Sequence, residues 1–115
     1  MSADCIFCKI AAGEIPVEFV YEDEHVVAFN DINPQAPRHL LVIPRKHIEN
    51  VAALTVEDSE IMMALVLGAN AVATELGFAE SGYRLVMNVG EDGGQTVPHL
   101  HIHLLGGREL TWPPG

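Results

Sequence analysis

One run of seven residues near the C-terminus, His99-Leu100-His101-Ile102-His103-Leu104-Leu105, limits what this chain can fold into. Apolar residues alternate with histidine at period two, the pattern of a strand with one buried face. Leu100, Ile102 and Leu104 then face a core, and three imidazoles line the opposite face. Histidines two apart on a strand lie roughly 6.7 Å apart, close enough to share one substrate or one metal. Packing is a poor account of such a face, because each ring is polar and changes charge near neutral pH. Just upstream, Gly93-Gly94-Gln95-Thr96 forms a glycine-containing turn able to offer backbone N–H groups to an anion.

The rest of the chain supports a small folded body around that strand. Its 115 residues fit one domain spanning 1–115, and a 49% hydrophobic content excludes disorder. No apolar stretch is long enough to span a membrane, and the first residues lack the basic-then-apolar pattern of a signal peptide. The expectation is a cytoplasmic protein with no membrane partner. Six Lys and Arg against 16 Asp and Glu give a net charge of −10. Nucleic-acid affinity comes largely from Lys and Arg neutralising phosphates, so a polymer partner is excluded. A local site can still bind a small phosphorylated ligand against the net field.

Ile6 and Ile10 share one helical face ahead of Gly13, which predicts a short helix. Phe19 to Tyr21 and Val26 to Phe29 flank the acidic turn Glu22-Asp23-Glu24 and predict a hairpin. His39 to Ile43 reads as a third strand, ended by Pro44. Thr55 is placed to cap a long helix with Asp58 completing a capping box. Ile61, Leu65, Ala69, Val72 and Leu76 give that helix one apolar stripe, and Gly77 suits its C-terminal cap. Tyr83 to Val89 and His99 to Leu104 are the fourth and fifth strands, with Pro98 at the opening of the last. Short strands without repeated βαβ units predict an α+β fold with an antiparallel sheet.

Two chemistries fit the histidine strand. Alternate histidines can share zinc, or one imidazole can act as a nucleophile tuned by its neighbours. Phosphoryl chemistry fits the surroundings best: His101, flanked on both sides, is the natural nucleophile, and the N–H groups of Gly94 and Thr96 are placed to hold phosphate oxygens. Cys5 and Cys8 form a lone Cys-x-x-Cys. A redox role calls for a preceding strand, and only four residues precede Cys5. A structural zinc needs four ligands, for which His47 and His99 are the candidates beside the two thiols; the plain alternative is two reduced thiols on a short helix. His25, Arg45 and Lys46 read as surface groups, and the helical methionines Met62 and Met63 as packing.

The histidine run resembles the signature of the histidine-triad (HIT) superfamily. CIFCKIAAGEIP, AFNDINPQAPRHLLVIPRKHI, GYRLVMNVGEDGGQTVPHLHIHLLGG and the terminal WPPG resemble its Hint branch, the purine nucleoside phosphoramidate hydrolases. That resemblance covers essentially the whole chain. It implies a five-stranded antiparallel sheet with one long and one short helix, and a two-fold homodimer. It implies a middle histidine, here His101, that attacks the α-phosphorus of a nucleoside monophosphate linked to an amine. A nucleotidyl-histidine forms, and water then releases AMP or GMP. His99, His103 and His39 take the supporting catalytic positions. Asp31 matches the residue that holds the ribose hydroxyls, Phe29 and Ile32 the purine wall, and Asn88, Gly94, Gln95 and Thr96 the phosphate side. Thr96 stands where Hint members often carry serine, and Pro98 where an aromatic residue is frequent. Some similar bacterial members carry a zinc on a Cys₂His₂ set, here Cys5, Cys8, His47 and His99. The tail around Trp112 matches one that packs near the dimer partner's site. The competing readings are a dinucleoside-polyphosphate hydrolase and a purine-nucleotide- or zinc-binding protein without turnover.

Overall fold

A computed structural model describes residues 4–115. Five strands form one antiparallel sheet: β1 (Tyr21–Glu22), β2 (Val26–Asn30), β3 (Arg38–Pro44), β4 (Tyr83–Val86) and β5 (Ile102–Gly106). Their order across the sheet is β1-β2-β3-β5-β4, which puts β3 and β5 at its centre. The short helix α1 (Ile6–Ala11) and the long helix α2 (Ser59–Glu75) lie on opposite faces. No helix among the described residues is long and apolar enough to cross a membrane.

Each face has its own core. Val26, Ala28, Leu40, Val42, Ile102 and Leu104 pack against Leu65, Ala69 and Val72 of α2. Val27, Phe29, Leu41 and Ile43 point the other way, onto Phe7, Ile10 and Ala11 of α1. Because both faces are covered, β2 and β3 read as unbroken apolar runs. Leu100, Ile102 and Leu104 all join the α2-side core, as their spacing predicts.

Several expectations shift: the first strand is Tyr21–Glu22 rather than Phe19 to Tyr21, and the fourth stops at Val86 rather than Val89. Thr55 and Asp58 do form a reciprocal capping box, but around a single 3₁₀ turn, Val56–Asp58, that feeds directly into α2. On α1 the buried face is Phe7, Ile10 and Ala11, while Ile6 is half exposed. β5 starts at Ile102 rather than His99. In the β3–β5 register Val42 faces Ile102, so Leu100 would fall opposite Pro44, which has no N–H to give. The Pro44 carbonyl instead accepts from His99 Nε2, 3.0 Å away. Leu100 N–H turns to Ile48 O at 2.6 Å. The first histidines of the run therefore sit on a lead-in to the strand.

Gly106 closes β5 where the sheet meets Phe78, and a Cβ there would lie 2.7 Å from Phe78 Cε2. That ring is buried in the α2-side core. Gly106→Ala should destabilise the fold by about 1–3 kcal/mol, read as a lowered thermal midpoint; an unchanged midpoint would contradict the packing described.

Candidate active site

The two central strands and α1 enclose a cleft of about 270 Å³ on the α1 side of the sheet. Phe29, Asp31, Ile32, Thr96 and Val97 line it together with His101 and His103, and Phe7 packs against His101. Phe29 is buried and Ile32 fully exposed, so one lines the interior and the other the mouth. Among the described residues no Lys or Arg lines the cleft.

Hydrogen bonds fix the tautomer of each ring. A carbonyl only accepts, so a ring nitrogen facing one must carry hydrogen. His101 Nδ1–H donates to His99 O at 2.7 Å. Its Nε2 therefore holds the free lone pair when the ring is neutral. On the next strand, Gln35 N–H donates to His39 Nδ1 at 2.9 Å. His39 must then carry its hydrogen on Nε2, which lies 3.0 Å from His103 Nδ1 and 3.4 Å from Asp31 Oδ2. His103 Nδ1 accepts, leaving Nε2–H as its donor. The site thus pairs a bare nitrogen on His101 with an N–H on His103, their ring centres 4.9 Å apart.

Electrostatics keep His39 and His103 neutral. Burial, together with the neighbouring His101 and His39 rings, pushes His103 down to about 4. Burial also lowers His39, partly opposed by the Asp31 carboxylate. Both rings are uncharged near neutral pH. Phe7 of α1 packs edge-on against His101 at 5.2 Å and against His99 at 5.8 Å, which fixes the ring planes.

His99 is turned away from the cleft. Its side chain is fully buried, and its Nδ1 lies 3.1 Å from Cys5 Sγ, 3.5 Å from Cys8 Sγ and 3.2 Å from His47 Nδ1. Cys8 Sγ is 3.3 Å from His47 Nδ1. The four donor atoms lie within 4.8 Å of one another, close enough to hold one metal ion. The Pro44 carbonyl fixes the hydrogen of His99 on Nε2 and so frees Nδ1 as a ligand.

The structure groups the sequence candidates unevenly. His39, His101, His103, Phe29, Asp31, Ile32 and Thr96 meet at or beside the cleft. Asn88, Gly94 and Gln95 are not in its lining. Gly94 N–H is already donated to Glu91 O at 3.0 Å, and its φ of +81° forms the turn. Phe7, Val17, Asn30 and Val97 line the cleft without having been foreseen. The Gln35 N–H that orients His39 is equally silent in sequence, since every residue but proline carries one. Trp112 is 81% exposed on this chain and makes no contact with the cleft.

A family model described as the HIT domain matches residues 12–110. The chain belongs to the HIT domain family. An uncharacterised HIT-like protein of Synechococcus elongatus is 54% identical over all 115 residues of both chains. The crystal structure of a HIT family hydrolase from Legionella pneumophila superimposes with a TM-score of 0.94 at 54% identity, covering 96% of this chain and 99% of its own. A HIT family hydrolase from Clostridium thermocellum gives 0.92 at 50% identity, covering 95% of each chain. In this HIT protein the five-stranded sheet and the single long helix agree with the expected architecture.

Because folding holds His39 and His103 below the free-histidine value of about 6.5, the unfolded chain binds protons that the fold refuses. Their contribution is nil above about 6.5 and becomes increasingly destabilising as pH falls toward about 4. Denaturation midpoints measured across that window should fall with pH, and His103→Asn should flatten the slope. An equal slope in the variant would contradict a buried, neutral His103.

Proposed function

We propose that this protein is a hydrolase of the Hint type, cleaving purine nucleoside phosphoramidates through a covalent nucleotidyl-histidine. The observation that carries this reading is the 2.7 Å bond from His101 Nδ1–H to His99 O. It puts the hydrogen of a neutral His101 ring on Nδ1 and its lone pair on Nε2, beside a neutral His103 that presents an N–H. His101 Nε2 attacks phosphorus, the P–N bond breaks, and the amine leaves with a proton. His103 Nε2–H and the Thr96 hydroxyl are the donors available to the phosphoryl oxygens and the departing amine. Water then attacks the nucleotidyl-histidine, releasing the monophosphate and restoring the ring. Phe29 and Ile32 supply the apolar surface for a purine, and Asp31 Oδ2 an acceptor for ribose hydroxyls. Asp31 Oδ1 is taken by Asn33 N–H at 2.8 Å, which aims the carboxylate.

The second cluster fits zinc. Zn–S bonds of about 2.3 Å and Zn–N bonds of about 2.0 Å, set tetrahedrally, put donor atoms about 3.3–3.8 Å apart. The distances here, 3.1 to 3.5 Å, fall near that range. Two thiolates and two neutral imidazoles would balance the charge of the ion. Cys5, Cys8, His47 and His99 would hold it as a structural tie between α1 and the lead-in to β5. Protein purified without chelator should carry about one zinc per chain, and Cys8→Ser should reduce that content sharply; wild-type protein with reduced thiols and almost no metal would end the assignment.

The reading includes a two-fold dimer. β4 is an edge strand with Leu85 exposed, and an edge of this kind can pair with a second copy. The decisive test of the chemistry is His101→Ala. Hydrolysis of adenosine phosphoramidate should fall by about 10³-fold or more while AMP binding changes little. Quenched wild-type enzyme should show a nucleotidyl adduct on His101 by mass spectrometry. Turnover surviving within tenfold in the variant would remove His101 from the nucleophile's place.

A further inference from the structure

The loop between β4 and β5 brings Thr96 and Val97 to the cleft, and one side chain clamps it. The Gln95 carboxamide spends every hydrogen-bonding group it has. Nε2 donates to Glu49 O at 2.8 Å and to Val97 O at 2.9 Å. Oε1 accepts from Gly90 N–H at 3.0 Å and from Asn50 Nδ2 at 3.2 Å. An amide oxygen has two lone pairs and an amide nitrogen two hydrogens, so nothing remains for a ligand. The Gln95 backbone N–H is also used, donating to Gly90 O at 3.0 Å.

The clamp joins two segments far apart in sequence. Residues 47–50 carry His47 of the metal-binding cluster and the Ile48 carbonyl that accepts from Leu100 N–H. They also carry both Glu49 O and Asn50. The loop is therefore pinned to one strap at Gln95 and again at Leu100. Thr96 lies between these points. Its neighbours are tied on each side, while its own N–H and hydroxyl have no partner among the described residues. A donor held still by its neighbours loses little freedom when a reacting group arrives.

We propose that Gln95 is a positioning residue that fixes the Thr96 hydroxyl for the chemical step and does not touch the nucleotide. This rests on the phosphoramidate hydrolase reading given above. It also gives Gln95 a different part from the phosphate contact that its place in the motif implies.

The test uses Gln95→Met, which keeps the length of the side chain and removes all its hydrogen bonds. In the full-length protein kcat for adenosine phosphoramidate should fall by about 10-fold to 100-fold, with the AMP dissociation constant unchanged within about threefold. In a Thr96→Val background the same change should cost less than about twofold, because the positioned hydroxyl is already gone. AMP affinity falling in step with kcat would overturn the proposal by making Gln95 a ligand contact. An undiminished kcat, or a full loss in the Thr96→Val background, would overturn it as well. Should Gln95→Met not fold, Asn50→Asp puts a carboxylate oxygen in place of the donor to Gln95 Oε1 while keeping the acceptor for Ala52 N–H at 3.0 Å. It should give the same pattern at smaller size. Wild-type protein that turns over no phosphoramidate would defeat the hydrolase reading, and amide hydrogen exchange across residues 90–98 would then judge the clamp. Faster exchange in Gln95→Met supports it, and unchanged exchange overturns it.

Discussion

The buried hydrogen bond from the His101 ring to the carbonyl of His99 is the contact on which the rest depends. In water an imidazole samples two tautomers and a cation. Here one nitrogen is committed to a main-chain oxygen two residues back, so a neutral ring keeps its lone pair on the other. The same residue that supplies the oxygen has its side chain among two thiols and His47. The main chain at His99 thus links the four-donor cluster to the His101 ring without any shared side chain. Its position is held by the irregular lead-in: Leu100 N–H on Ile48 O, and His99 Nε2 on Pro44 O. Had β5 run unbroken from His99, that carbonyl would have been a rung of the sheet.

The neutral His39–His103 pair stands beside His101. His39 and His103 form a chain that begins at a backbone N–H of Gln35 and ends with a donor at His103 Nε2. A phosphoryl group entering between His101 and His103 meets one ring that offers electrons and one that offers hydrogen. Asp31 lies close enough to His39 to compete for its hydrogen, at 3.4 Å against 3.0 Å for His103. The shorter contact and the near-neutral His103 favour the chain toward the cleft.

Much of this was legible in the sequence because it is periodic. The alternation at 99–105 predicted which side chains face α2, and Leu100, Ile102 and Leu104 are all there. The stripe of α2 and the capping box at Thr55 and Asp58 follow from local chemistry that needs no knowledge of the rest of the chain. The start of β5 was not legible, since it depends on Pro44 arriving opposite Leu100 from more than fifty residues away in sequence. The buried face of α1 was half legible: Ile10 is buried as expected, while Ile6 is half exposed and Phe7 is covered in its place, edge-on to the His101 ring. Gln95 was read for its place in the motif, whereas its bonds to Glu49 and Asn50 exist only in three dimensions.

The cleft wall has no guanidinium or ammonium among the described residues, in a protein whose net charge is −10. Sites that process long phosphate chains ordinarily neutralise them with arginine, lysine or a divalent ion. Here the charged group in the lining is the Asp31 carboxylate, and the other polar groups are the Asn30 amide, the Thr96 hydroxyl and the His101 and His103 rings. On the proposed phosphoramidate reading, each additional phosphate would bring charge that nothing in the wall offsets, and that reading therefore favours ligands with a single phosphoryl unit.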